Sequence, residues 1–97
     1  MFFKKIIKML TSNSNTDKYM HENVLLLDVR TEAEFSEGHH SDSINIPLQV
    51  LEDRLKELNK ERRIVTVCRS GARSGMATTI LKSKGYDVIN GGPWNLL

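Results

Sequence analysis

The stretch Ile64-Val65-Thr66-Val67-Cys68-Arg69-Ser70-Gly71-Ala72-Arg73-Ser74 decides how this chain is read. The β-branched apolar run 64–67 predicts a buried strand. It leads straight into Cys68, the single cysteine of the chain. Residues 72–84 follow as a predicted helix, with Met76, Ile80 and Leu81 on one face and Gly85 at its end. A strand that ends in a cysteine and turns into a helix places sulfur over the free amides of a helix N-terminus. Those amides, with Arg69 and Arg73, favour the thiolate, the nucleophilic form of the side chain. Gly71 lets the backbone turn tightly and approach the sulfur.

Working outward, Val24-Leu25-Leu26-Leu27-Asp28-Val29 is apolar on both faces, as in a strand of a parallel sheet covered on both sides. Thr31 is a candidate N-cap with acids in the next turn, so a short helix is predicted there, closed by Gly38. Ser43-Ile44-Asn45-Ile46-Pro47 reads as a short strand stopped by proline. Leu48, Leu51, Leu55 and Leu58 recur at helical spacing among charged residues and predict an amphipathic helix. Tyr86-Asp87-Val88-Ile89 reads as a last strand, and Asn90-Gly91-Gly92-Pro93 as a turn. Strands alternating with helices imply an α/β domain with a central, mostly parallel sheet. Sites in such sheets lie outside the carboxyl ends of the strands. The clusters Asp28-Val29-Arg30 and Cys68-Arg69-Ser70 then stand on one rim.

At 97 residues, 39% hydrophobic and 27% charged, the chain suits one small globular domain, expected over residues 18–97. The net charge of +2, with no basic run, gives no reason to expect nucleic acid. One cysteine excludes an internal disulfide and the disulfide-stapled secreted class, and fits a reducing cytoplasm. Lys4, Lys5 and Lys8 interrupt the apolar residues of MFFKKIIKML, so no signal-peptide core forms. No stretch approaches the roughly 20 apolar residues of a membrane span. Residues 1–17 are expected to hold a terminal helix packed on the domain, then a polar linker, Thr11 to Asp17. No membrane association is expected, and a monomer is the default.

The rim clusters resemble the rhodanese-like domain family, over about residues 18 to 94. The first signature is Asp28-Val29-Arg30, Glu34-Phe35, Gly38-His39 and Asn45-Ile46-Pro47. The second is the loop Cys68 to Ser74. The third is Gly85-Tyr86, Val88-Ile89 and Gly91-Gly92. Two segments depart from the pattern: His40-Ser41-Asp42-Ser43 replaces an apolar residue and Gly-Ala, and Trp94 follows directly after Pro93. The N-terminal strand that the resemblance implies is also poorly defined in this sequence. The resemblance implies a sheet of about five strands flanked by helices, and a sulfurtransferase that carries sulfane sulfur as a persulfide. It also implies that short loops handle sulfur, while loops one residue longer handle phosphate or arsenate. Four residues separate Cys68 from Arg73, which is the shorter spacing.

On this reading Cys68 is the nucleophile and persulfide carrier. Arg73 is expected to aim into the loop, ordering it or pairing with an anionic donor. Arg69, on the outer side, would steer anions such as thiosulfate. Ser70, Gly71, Ala72 and Ser74 would supply mainly backbone amides. Asp28 and Arg30 are expected to hold the rim, with Glu34 or Glu32 as partners of Arg30. His39 would order its turn, and Trp94 would anchor packing. The two adjacent histidines lack a third ligand, so no metal is expected, and no organic cofactor is implied. The expected partners are a small anionic sulfur donor and a thiol or protein-thiol acceptor. Two rivals stand beside this reading: a non-catalytic regulatory or protein-binding module, and a phosphatase or arsenate reductase of the same fold.

Overall fold

A computed structural model describes residues 23–97. The predicted N-terminal helix and linker, residues 1–17, lie outside the described residues. Four strands form one parallel sheet: β1 (Val24–Asp28), β2 (Ser43–Asn45), β3 (Arg63–Cys68) and β4 (Val88–Pro93), in the order β2-β1-β3-β4. Two α-helices connect them, α1 (Glu32–Glu37) and α2 (Ala72–Ser83). The sheet therefore holds four strands among the described residues, against the expected five. The N-terminal strand that the resemblance implies has no counterpart in them.

β1 and β3 are the two central strands, and their largely apolar runs, broken by Asp28 and Thr66, are buried from Leu25 to Val29 and from Ile64 to Cys68. Alternate residues serve opposite faces. Leu25, Leu27, Ile64 and Cys68 pack with Leu51, Ala77, Leu81 and Tyr86. Leu26, Val65 and Val67 form the second layer, against Ile89, Trp94 and Leu97.

Helix α1 starts as predicted. The Thr31 hydroxyl accepts the Glu34 N–H at 3.2 Å, and the Glu34 carboxylate accepts the Thr31 N–H at 3.0 Å, a reciprocal cap. The leucine-spaced segment after Pro47 is not an α-helix. It folds as two 3₁₀ segments, Leu48–Val50 and Glu52–Glu57, with Arg54 kinked out of helical geometry. Val50 N–H bonds to the Pro47 carbonyl, Leu51 to Leu48, Arg54 to Leu51 and Leu58 to Leu55, each three residues back. This tighter winding still buries Leu51 and Leu58.

Two other expectations are corrected. Met76 does not join the core face of α2: it is 55% exposed, and the buried residues of that helix are Ser74, Ala77, Thr78 and Leu81. The first turns of α2 must hold the cysteine loop, so their inner face is small and polar. The last strand begins at Val88 and runs through the predicted turn to Pro93. It does so by a bulge: Thr66 pairs with Asn90 but Val67 with Gly92, leaving Gly91 as the extra residue. A Cβ at Gly91 would lie 2.6 Å from Val65 Cγ1 and 3.0 Å from the Thr66 carbonyl oxygen, so any side chain there forces its neighbours to shift.

Candidate active site

Cys68 is the last residue of β3 and is 1% exposed. The backbone folds over it at Gly71, whose φ of 104° lies in the region that glycine adopts freely. That turn aims the Gly71 N–H at Cys68 Sγ, 2.9 Å away. The Gly71 carbonyl accepts the Gly75 N–H at 2.9 Å and opens α2. Ser74, wholly buried on the first turn, brings its hydroxyl to 3.3 Å from the sulfur.

Burial pushes the Cys68 thiol up. The Ser74 hydroxyl and the backbone N–H groups of Ser74, Gly71 and Ser70 outweigh it, and the pKa settles below its ordinary value. The expected lowering is therefore present, but its main agents are hydrogen-bond donors rather than the two arginines.

Arg73 does not aim into the loop. It donates to both oxygens of Glu34, at 2.7 and 3.0 Å, and so bridges α2 to α1. This corrects the expectation that Glu34 serves Arg30. The Glu34 carboxyl is held down to about 2 by Arg73 first, then by the Thr31 N–H. Arg30 takes Asp28 instead. Its Nε lies 3.0 Å from each Asp28 oxygen and its Nη2 2.8 Å from one of them. The pair is buried, with the Gly38 carbonyl accepting a further bond from Arg30 at 2.7 Å. The Trp94 ring covers the guanidinium at 4.5 Å, so Trp94 packs on the rim as well as on the second core layer. Asn45 closes the rim by donating to the carbonyls of Asp28 and Arg30, both at 2.9 Å.

Arg69, Ser70 and Ala72 are exposed on the loop. Arg69 borders a cleft of about 480 Å³ whose other walls are Arg30, Glu34, Glu37, Gly38, Trp94 and Asn95. His39 bonds through Nδ1 to the Phe35 carbonyl at 2.6 Å and stacks on the Phe35 ring, which orders the turn after α1. Among the described residues, no three His, Cys, Asp or Glu side chains cluster as a metal site. No described helix is long and apolar enough to cross a membrane.

Two residues near the sulfur escaped the sequence reading. Asn90, expected in a turn, accepts from the Ser74 hydroxyl and from the Gly92 N–H beside it on β4, and donates to the Gly71 carbonyl within the loop. Thr66 donates to the Ser74 carbonyl at 3.0 Å from beneath. A hydroxyl in the middle of an apolar strand was the available signal for Thr66. Nothing in the sequence marked Asn90.

A parallel sheet that delivers a hydrogen-bonded cysteine loop onto a helix start defines a single-cysteine α/β domain of the rhodanese kind. The chain belongs to the Rhodanese-like domain family, whose model matches residues 10–92. A sulfurtransferase of Allochromatium vinosum is 43% identical over 68 residues, covering 70% of this chain and 64% of that protein. The adenylyltransferase and sulfurtransferase UBA4 of Candida glabrata is 34% identical over 83 residues, covering 75% of this chain and 19% of its own length. This chain thus spans less than two thirds of either relative. A rhodanese from E. coli, solved with anions, superposes with a TM-score of 0.70 at 30% identity, covering 76% of this chain and 91% of that one.

Proposed function

We propose that the chain is a sulfurtransferase in which Cys68 carries sulfane sulfur as a persulfide. The observation that carries this reading is the Gly71 N–H held 2.9 Å from Cys68 Sγ, with the Ser74 hydroxyl beside it. These donors lie where negative charge must sit, first on the thiolate and then on the bound sulfur. The relatives named sulfurtransferases support the class.

The donor proposed is a small anion such as thiosulfate. The Cys68 thiolate attacks the outer sulfur, the sulfur–sulfur bond of the donor breaks, and sulfite leaves with the bonding pair. Cys68 then bears the group –S–S⁻. An acceptor nucleophile attacks the terminal sulfur, the Sγ–S bond breaks, and its electron pair returns to Sγ. Cyanide would leave as thiocyanate, and a thiolate as its persulfide. This is a two-step exchange with a covalent intermediate, and no external oxidant is consumed. Because Cys68 is 1% exposed, the donor must reach it end-on, which suits a small sulfane anion. Arg69 at the cleft would attract it. A reducing cytoplasm, where the free thiol persists, and a monomeric state complete the proposal.

The test is intact-mass spectrometry after incubation with thiosulfate, beside Cys68→Ser. A gain of one sulfur atom, absent in the variant and removed by a mild thiol, is expected. No gain with a reduced, accessible Cys68 would turn the reading toward a binding module. Cleavage of an aryl phosphate would turn it toward a phosphatase.

A further inference from the structure

The Ser74 hydroxyl faces three acceptors: Asn90 Oδ1 at 2.6 Å, the Gly71 carbonyl at 3.1 Å and Cys68 Sγ at 3.3 Å. A hydroxyl has one proton to give. The orientation of the Asn90 amide is set by backbone groups whose roles cannot change. Gly92 N–H, always a donor, holds Oδ1 at 3.0 Å, and the Gly71 carbonyl, always an acceptor, holds Nδ2 at 3.2 Å. Two oxygens 2.6 Å apart need a proton between them, and an amide oxygen has none. Ser74 therefore gives its proton to Asn90 and turns a lone pair toward Cys68, where it accepts the thiol S–H. A charged sulfur needs the reverse, with the Ser74 O–H directed at it.

We propose that Asn90 is a positioning residue for Cys68: its amide oxygen holds the Ser74 proton while the sulfur is a thiol and yields it when the sulfur becomes an anion. This rests on the reading of Cys68 as the nucleophile. The thiol proton leaves to water, while Ser74 keeps its own proton and only rotates. Asn90 is exposed on β4, so its replacement opens no core cavity. The charged groups facing the loop stay paired throughout. From α2, Arg73 is bridged to Glu34 of α1, and from β1, Asp28 is bridged to Arg30. Arg69 on the loop itself is exposed.

The test is an ultraviolet thiolate titration of the whole chain, which has one cysteine. Asn90→Ala frees the Ser74 proton and should raise the ratio of thiolate to thiol about fivefold at fixed pH, the equivalent of one ordinary hydrogen bond. Asn90→Asp accepts the proton more strongly, adds negative charge and should lower the ratio. Ser74→Ala should also lower it, and Asn90→Ala in that background should then change nothing. An Asn90→Ala effect that survives without the Ser74 hydroxyl overturns the proposal, because it would arise from loosening of the Gly71 turn. Should Ser74→Ala fail to fold, the opposed signs of the two Asn90 variants decide alone, and shifts of one sign overturn it. The titration needs neither donor nor acceptor. A protein that titrates as stated yet takes up no sulfur would refute the sulfurtransferase reading and leave the role of Asn90 standing.

Discussion

Arg73 and Glu34, 39 residues apart in sequence, meet through two parallel hydrogen bonds of 2.7 and 3.0 Å. Glu34 also caps α1 through the Thr31 N–H. One carboxylate thus joins the start of the first helix to the start of the second, beside the cysteine loop.

Glu34→Gln keeps the cap, since glutamine serves it too, but loses the charge pair. Both partners are about one-third exposed, so the loss should be modest, about 0.5–1 kcal/mol in urea unfolding. Its pH dependence has a definite sign. The folded carboxyl sits at about 2, below its ordinary 4.5, so its contribution is complete above pH 4.5 and fades as pH falls toward 2. The stability gap between wild type and variant should close over that window. A gap independent of pH would refute the account.

Asp28→Asn should be far more damaging. It leaves the Arg30 guanidinium buried without its counter-charge, with the Trp94 face and the Gly38 carbonyl remaining. Breaking a buried pair from one side costs about 3–5 kcal/mol. Urea denaturation should show a loss in that range, and removing both charges with Asp28→Asn and Arg30→Met should recover part of it. A loss below about 1 kcal/mol would mean that water reaches the pair.

Arg69→Ala should act on the donor rather than on the fold. The side chain is exposed at the cleft wall and makes no described core contact. Loss of a charged contact to an anionic donor is worth about 1.5 kcal/mol, so KM for thiosulfate should rise about tenfold with kcat little changed. The wild-type KM should rise with salt, and the variant's much less. Equal falls in kcat and kcat/KM would place Arg69 in the chemical step instead.

Gly91→Ala should strain β4 where a Cβ would press on Val65 and the Thr66 carbonyl. Overpacking of this kind costs about 1–3 kcal/mol, measurable as a lower denaturation midpoint. Gly92→Ala meets no such contact, although its φ of 79° also disfavours a side chain.

The central elements were legible because single residues marked them. The largely apolar runs of β1 and β3 gave buried neighbours, Thr31 with Glu34 gave the cap, and Cys68 with Gly71 gave the loop. Leu48, Leu51, Leu55 and Leu58 misled because spacings of three and four fit an α-helix and a 3₁₀ winding alike, and tertiary burial chose the tighter one. The ion pairs were mis-assigned because Glu34 lies four residues from Arg30, a helical neighbour by count. The chain between them is not helical until Glu32, and Arg73 arrives from a distant helix. Asn90 was hidden by its neighbours: Asn-Gly-Gly-Pro has turn composition, and only the pairing with β3 makes it strand.

The extra residue at Gly91 makes this domain unevenly tolerant of changes in length. A strand slipped by one position turns every side chain to the opposite face. Deleting Gly91 would straighten β4 and displace the Gly92 N–H that orients the Asn90 amide, with every residue of the cysteine motif still in place. Exposed Ser41 and Asp42, by contrast, lie in a connection free to absorb insertions. Two chains with identical cysteine loops can therefore differ in thiol reactivity through a one-residue change in a strand that carries no reacting atom.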